Sequence, residues 1–174
     1  MAIEGNEIGW FSPDPRGVMP IDGFHAPTRL VRARRRGVFE IRMDTAFEAV
    51  MRACAADRDE GTWISEEIIE SYVHIHQLGF AHSVEVWRRG VLAGGLYGVH
   101  LGAAFFGESM FHHVTDASKV ALMALVERLR ARGFLLLDTQ WLTPHLTQFG
   151  GIEMPRDAYL GRLGEALAIE CRFV

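Results

Sequence analysis

Apolar residues recur most regularly between His82 and Phe111, in the middle of the chain. Two pairs of residues, Arg89-Gly90 and Leu101-Gly102, divide this stretch into three runs of strand length. Because glycine permits the positive φ that tight reversals need, the pattern predicts an antiparallel meander of three strands.

The first and third of these strands carry polar residues in different ways. In the first strand Val84 and Val86 alternate with Ser83 and Glu85, which predicts one face towards the core and the other towards solvent. The third strand is apolar almost throughout and ends near Glu108. A carboxylate in that position loses its hydration, which costs free energy unless a partner replaces the water. Glu108 is therefore a candidate functional residue.

Helical spacing appears on both sides of the meander. Two helices are predicted before it, one beginning at Thr45 with Glu48 in a capping box and one beginning at Ser65. Others are predicted after it, over residues 115–133 and 155–168. With these helices packed on a mixed, mostly antiparallel sheet, the chain is predicted to be an α+β protein.

A further buried strand is predicted at residues 134–140, where an apolar run ends in Asp138, Thr139 and Gln140. Residues two apart on a strand point the same way, so Asp138 and Gln140 are expected to share a face. A helix joins this strand to the one that ends near Glu108, and such crossovers place both strand ends at one edge of a sheet. The three polar side chains are therefore expected to line one cleft.

This cleft allows two interpretations. A carboxylate that orients an amide, or accepts a proton from an amine, suits the acylation of an amine. Alternatively the residues are structural, with Glu108 paired to a buried arginine and Asp138 capping a neighbouring loop. The residue pattern alone leaves both open.

The composition of the 174 residues, 49% apolar and 23% charged, is that of a globular domain. Cys54 and Cys171 are far apart, and His74 and His76 lie on different faces of a predicted helix, so no disulfide framework or metal site is indicated. No apolar run reaches the roughly 20 residues that span a bilayer, and no signal peptide is apparent. A cytoplasmic protein without membrane contact is expected.

The net charge of −4 argues against general affinity for nucleic acids, but one segment is strongly basic. Five arginines lie between Arg29 and Arg36, with no acidic residue among them. Such a run can neutralise several phosphates, or it can be the solvated face of a helix. Residues 1–37 are predicted to form an extended, Gly- and Pro-rich arm with this basic segment, and residues 38–174 the folded domain.

Eight blocks of sequence between Trp10 and about Leu163 occur in the order and spacing of one known family. They are W-F-S-P-D-P-R, D-R-D-E-G-T-W-I, H-x-L-G-x-A-H-S-V-E-V-W, G-G-L-Y-G-V, F-F-G-E-S-M-F, D-A-S-K-V-A-L, L-L-D-T-Q and E-M-P-R-x-x-Y-L. On these blocks the chain closely resembles the leucyl/phenylalanyl-tRNA–protein transferase family. One such block would be a weak signal, whereas eight in register are specific.

The resemblance implies a GNAT-type acyltransferase core in residues 38–174 and a specific reaction. Leucine or phenylalanine, and less often methionine, would pass from its tRNA ester to the N-terminal amine of a protein that begins with Arg or Lys. The modified protein would thereby be marked for degradation in the N-degron pathway. No metal, no other cofactor and no acyl-CoA would be required.

The resemblance also implies roles for individual residues. Asp138 would polarise Gln140, whose carbonyl draws the proton from the attacking amine, and Glu108 would position the aminoacyl group or the cationic acceptor. The basic segment would contact tRNA through Arg32, Arg35 and Arg36. The pocket for the leucine or phenylalanine side chain would be formed by Trp63, Leu96, Phe105, Met110, Leu122, Leu125 and Leu137.

The chain departs from the family pattern in places. It starts nine residues before Trp10, so it is expected to be a short form without the N-terminal segment of many members. Pro144 stands beside His145 where the family usually has an acidic or amide residue. These departures bear on substrate preference and tRNA affinity more than on the fold.

Two rival functions are considered beside the family reaction. A GNAT enzyme that uses acyl-CoA needs a glycine-rich turn before a helix to hold the pyrophosphate, but S-M-F-H-H-V-T precedes the helix at Asp116. A non-catalytic RNA-binding module would need only the arginine run. The joint presence of Glu108, Asp138 and Gln140 argues against that module.

Overall fold

The computed structural model describes residues 11–56 and 62–174. The start of the predicted arm, including Trp10, and residues 57–61 of the D-R-D-E-G-T-W-I block lie outside the described residues. The strands are β1 (Arg16–Val18), β2 (Glu40–Met43), β3 (Ala81–Arg88), β4 (Val91–Leu101), β5 (Ala104–His112), β6 (Leu136–Gln140) and β7 (Ile152–Met154). The helices are α1 (Thr28–Arg35), α2 (Phe47–Ala56), α3 (Glu66–Gln77), α4 (Ala117–Ala131), α5 (Pro144–Thr147) and α6 (Arg156–Leu167).

One mixed sheet contains these strands in the order β2-β3-β4-β5-β6-β1-β7. Strands β3, β4 and β5 form the predicted meander, with Arg88 opposite Val91 and Leu101 opposite Ala104 at its two reversals. Strands β5 and β6 are parallel and are joined by α4, as predicted, while the other pairs are antiparallel. The predicted α+β class, with a mixed and mostly antiparallel sheet, is confirmed.

Helices cover both faces of the sheet. Helix α4 is buried along most of its length and packs against β3, β4 and β5, in a core cluster that includes Leu96. Helices α2 and α3 pack around Tyr97 and Phe111 in a second cluster. Because Leu96 and Tyr97 are neighbours on β4 and point in opposite directions, the two clusters lie on opposite faces.

The predicted solvent-facing side of β3 is wrong, since Ser83 and Glu85 are both buried at 0% exposure. The chain that leads into α2 crosses this face, and Glu85 accepts hydrogen bonds from the backbone N–H groups of Thr45 and Ala46 at 2.9 and 3.0 Å. Thr45 also donates its hydroxyl to Glu85, and α2 begins at Phe47, one residue later than a cap at Thr45 would place it. The second predicted cap is confirmed, because Ser65 accepts a hydrogen bond from the N–H of Ile68.

The described part of the arm joins the sheet. Strand β1 lies between β6 and β7, and α1 packs on α4. The division of the chain at residue 37 stays a prediction. Within the described ranges, none of the helices has the length and apolar character needed to cross a bilayer.

Candidate active site

The sheet opens at the carboxyl ends of its two parallel strands. β5 and β6 are paired from Ala104 and Leu136 only as far as Phe106 and Asp138, although β5 continues to His112 and β6 to Gln140. Beyond that point the strands diverge, and a cavity of about 240 Å³ lies between them. The carboxyl ends of parallel strands are a common place for ligands in open sheets.

A β-bulge directs Glu108 into this opening. Tyr97 pairs with Ser109 and Gly98 pairs with Gly107, so Glu108 has no partner on β4. A bulge of this kind changes the direction of a side chain relative to the regular alternation. The bulge depends on Gly98, because a Cβ atom there would lie 2.2 Å from the carbonyl oxygen of Phe106.

Glu108 lines the cavity, and the groups around it do not fully compensate the burial of its carboxylate. Burial raises its pKa, a hydrogen bond from the Tyr72 hydroxyl lowers it by a smaller effect, and the negative charge of Asp138 raises it. The net direction is upward. Burial, followed by the charge of Glu108, likewise raises the pKa of Tyr72, so this phenol remains a hydrogen-bond donor at neutral pH.

Asp138 is fully buried and is surrounded by donors. Arg16 binds both carboxylate oxygens, with Nε 3.0 and 3.1 Å from Oδ1 and Oδ2 and Nη2 2.8 Å from Oδ2. The Tyr159 hydroxyl donates to Oδ2 at 2.5 Å, and the backbone N–H of Gln140 donates to Oδ1 at 2.7 Å. A carboxylate accepts about four hydrogen bonds, so the acceptor positions of Asp138 are already occupied by protein groups.

Gln140 lines the cavity, whereas Asp138 lies behind the lining. Gly17 pairs with Gln140 and Val18 with Asp138, so Thr139 is an extra residue on β6, and Gln140 has a left-handed backbone with φ of 61°. The alternation on which the shared-face prediction depended therefore ends at Asp138. The contact between the two residues is made by the Gln140 backbone and not by its side-chain amide.

The apolar wall of the cavity agrees with most of the predicted pocket. Five of the expected residues line it: Leu96, Met110, Leu122, Leu125 and Leu137. Phe105 does not, because it precedes the point where the strands diverge and its ring is fully buried near that of Phe173, 5.4 Å away. Trp63 does not either, because it packs with the cluster formed by α2 and α3. Neither residue lines this cavity, and their part in binding the aminoacyl side chain stays a prediction.

Several site residues were not assigned a role from the sequence. Arg16 and Tyr159 stood in two of the matched blocks without any expectation attached, and Tyr72 carried no signal. Arg16 and Tyr159 meet because β1 enters the sheet beside β6 and α6 packs against β5 and β6. The Arg16 guanidinium also lies 5.2 Å from the centre of the Tyr159 ring.

The arginine run lies on and just after α1. Arg29 pairs with Asp116 at 3.0 Å, and Arg34 pairs with Glu127 on α4. Arg32, Arg35 and Arg36 are exposed and form no ion pair with the described residues. Within the same residues, no group of three or more His, Cys, Asp and Glu side chains is arranged to hold a metal ion.

Comparisons with known sequences place these features in a family. Residues 18–164 match the family model described as leucyl/phenylalanyl-tRNA protein transferase. A leucyl/phenylalanyl-tRNA–protein transferase of Paramagnetospirillum magneticum is 59% identical over 166 residues, which cover 94% of this chain and 79% of that protein. The protein of the same name from Gloeobacter violaceus is 57% identical over 170 residues, 98% of this chain and 87% of the relative.

Solved structures resemble the fold at low sequence identity. A conserved protein of unknown function from Bacteroides thetaiotaomicron has a TM-score of 0.55 and 12% identity, over 78% of this chain and 54% of the other. L-PGS from Bacillus licheniformis has a TM-score of 0.50 and 12% identity, over 79% and 51%. At such identities the likeness concerns the fold alone.

Proposed function

The chain belongs to the leucyl/phenylalanyl-tRNA protein transferase family, an aminoacyltransferase family, and we propose that it transfers leucine or phenylalanine, and less readily methionine. The aminoacyl group would move from tRNA to the N-terminal amine of proteins that begin with Arg or Lys, which marks them for degradation. The observation that carries the proposal is an aliphatic cavity with Glu108 and Gln140 in its wall.

The cavity suits an apolar aminoacyl side chain. Its aliphatic wall would remove the side chain from water, and full burial of a leucine or phenylalanine side chain contributes about 1.5–3 kcal/mol. No cationic side chain lines the cavity among the described residues, so an acidic aminoacyl group would find no counter-ion there. This composition supports leucine, phenylalanine and methionine as the groups transferred.

Glu108 supports the choice of a cationic acceptor. Its carboxylate can attract the N-terminal ammonium group, or the side chain of a first Arg or Lys residue, towards the cavity. The raised pKa of Glu108 also brings it nearer to that of an amine than an exposed glutamate would be. Glu108 would therefore position the acceptor and help it to lose a proton.

Asp138 and Gln140 would act together but at different distances from the substrate. The Gln140 side chain, in the cavity wall, would accept a hydrogen bond from the attacking amine. Asp138 would be a positioning residue, because it holds the Gln140 backbone and is itself held by Arg16 and Tyr159. The left-handed conformation of Gln140 is unfavourable for a residue with a side chain, and this network would maintain it.

The exposed arginines of α1 support contact with tRNA. Arg32, Arg35 and Arg36 are not neutralised by described acidic residues and can approach phosphates. If Arg35 contacts one phosphate, Arg35→Ala should reduce the salt dependence of tRNA binding by about one unit of slope.

The decisive experiment is a transfer assay. The protein is mixed with leucyl- or phenylalanyl-tRNA and with peptides that begin with Arg, Lys or Ala, and the products are followed by mass. Addition of one leucine or phenylalanine to the Arg and Lys peptides but not to the Ala peptide is expected. Salt-sensitive tRNA binding without any transfer would contradict the proposal and favour a binding module.

The assigned residues are tested in the same assay. Gln140→Ala should lower the rate of transfer, whereas Gln77→Ala, an exposed glutamine on α3 outside the cavity lining, should not. Equal rates in the two variants would exclude a role for the Gln140 side chain.

A further inference from the structure

Two polar atoms in the cavity region have no assigned role. The hydroxyl oxygen of Thr139 and Nε2 of His145 are buried without a hydrogen-bond partner among the described residues, and both residues line the cavity. A buried polar group without a partner costs about 1–3 kcal/mol, so such groups are rare unless a ligand or water satisfies them. Both residues belong to the wall of the same cavity, so a polar group of a ligand that reached this part of the wall would satisfy them.

The fold holds both residues in place. Thr139 is the extra residue of the β6 bulge, between the fixed carboxylate of Asp138 and Gln140. His145 lies on α5, which Thr143 caps by accepting the N–H of Leu146, and its ring packs edge-on against Phe149 with centroids 5.4 Å apart. Pro144 occupies the first position of α5, where the absence of an N–H group is harmless.

The two groups can both donate hydrogen bonds. Burial, and then the nearby charges of Lys119 and His112, lower the pKa of His145, so its ring is neutral at pH 7 and carries one N–H. The side-chain amide of Gln148 approaches Nδ1 at 3.5 Å, which leaves that N–H on Nε2 when the amide donates. The hydroxyl of Thr139 is a donor in any rotamer.

An aminoacyl ester supplies one acceptor that fits between such donors. Its side chain would lie against the aliphatic wall, and its carbonyl oxygen follows two bonds beyond the α-carbon. We propose that Thr139 and His145 donate hydrogen bonds to this carbonyl oxygen, an inference that rests on the proposed aminoacyl transfer. Both are then catalytic residues that touch the reacting group.

During the reaction this oxygen gains negative charge, which the site must stabilise. The amine nitrogen attacks the carbonyl carbon, the C–N bond forms, and the π-electron pair of the carbonyl moves onto the oxygen. When the pair returns, the ester C–O bond breaks, and the ribose oxygen leaves with the proton that the amine has lost. Donors placed around an oxygen that gains negative charge lower the barrier, and loss of one such donor costs about 100- to 1,000-fold in kcat.

The test uses the full chain with phenylalanyl-tRNA and an Arg peptide. His145→Phe keeps a ring against Phe149, and Thr139→Val keeps the shape of the side chain, but each removes its donor. Each is expected to lower kcat about 100-fold with less than about a threefold change in KM. Thr139→Ser and His145→Gln, which retain a donor, should recover part of the lost rate, and Thr147→Val on the exposed side of α5 should have no effect.

A binding measurement supplies a readout independent of turnover. Two unreactive analogues of phenylalanyl-adenosine are compared, one with an amide carbonyl in place of the ester and one with a methylene group in place of that carbonyl. The unaltered protein should bind the carbonyl analogue at least about fivefold more tightly, and His145→Phe should reduce this preference. Thermal unfolding of each variant checks that the fold is retained.

The possible outcomes separate the two proposals. Failure of the unaltered protein to transfer any aminoacyl group would overturn the proposed function and this inference with it. Transfer by the unaltered protein, with unchanged kcat in both donor-removing variants or an unchanged preference between the analogues, would overturn the inference about Thr139 and His145 alone.

Discussion

The meander carries two glutamates in opposite surroundings, one on each of its outer strands. Glu85 on β3 is fully buried and accepts hydrogen bonds from the Ser83 hydroxyl at 2.7 Å and from the N–H groups of Thr45 and Ala46. Glu108 on β5 projects from a bulge into a cavity, and burial raises its pKa despite the Tyr72 hydroxyl. The fully bonded carboxylate serves the fold, whereas the incompletely compensated one remains available to a ligand.

The largest expected effect is on stability, at Glu85. Glu85→Ala removes the acceptor of the N–H groups of Thr45 and Ala46 and of the Ser83 hydroxyl, so the free energy of unfolding should fall by about 3 kcal/mol or more. Urea unfolding measures the change. A loss of unfolding free energy below about 1 kcal/mol would contradict the structural role assigned to Glu85.

The second expected effect is on activity, at Glu108. Glu108→Gln preserves the shape of the side chain and removes its charge, so kcat/KM for an Arg peptide should fall by about 100-fold. The free energy of unfolding at pH 7 should stay equal or increase, because a desolvated charge is removed. If this variant unfolds like Glu85→Ala while retaining its activity, the roles assigned to the two glutamates are reversed.

The third expected effect is on the pH dependence of stability. The pKa of Glu108 is higher in the folded chain than in the unfolded chain, so the folded state binds this proton more tightly. Its stabilising contribution is complete below the ordinary glutamate pKa of 4.5 and is lost as the pH rises through the raised pKa. Glu108→Gln should therefore gain stability relative to the unaltered protein between pH 4 and pH 8.

The pH measurement has a simple contrary outcome. Unfolding curves of the two proteins are compared at several pH values across that range. A stability difference that does not change with pH would mean that Glu108 titrates alike in the folded and unfolded chains.

The smallest expected effect sharpens the comparison at the cavity wall. Leu122→Phe adds volume to the lining, so transfer of phenylalanine should fall about 10-fold relative to leucine. Val86→Ile, a fully buried change on the same strand as Glu85 and outside the lining, should leave this ratio unchanged. Competition between the two charged tRNAs measures the ratio, and an equal shift in both variants would mean that the cavity does not select the side chain.

Much of the fold could be predicted because it depends on local sequence. The reversals of the meander need glycine, and Gly90 and Gly102 have φ values of 76° and 54°. The mixed, mostly antiparallel sheet with its parallel β5–β6 pair confirms the predicted α+β class, and residues 18–164 confirm the family that the sequence blocks resembled. Family membership also decides between the rival activities in favour of an aminoacyltransferase.

The shared-face expectation for Asp138 and Gln140 failed because the strands at the site are irregular. Strict alternation would place Glu108 and Met110 on one face, but the bulge separates them, so that Met110 packs in the cluster beside α4. The bulge at Thr139 likewise ends the alternation of β6 before Gln140. A bulge depends on how two strands pair, so the sequence of one strand does not reveal it.

The sequence by itself determined most of the helices, the meander, and the crossover that brings Glu108 and Gln140 to one edge. These features follow from the periodicity of apolar residues and from turn residues a few positions apart. Only the tertiary structure decided which buried polar groups are satisfied. Asp138 is compensated by Arg16, 122 positions away, and Tyr159, 21 positions away, whereas Glu108 and His145 face a cavity. The energy of a buried charge depends on neighbours in space, and no local pattern contains them.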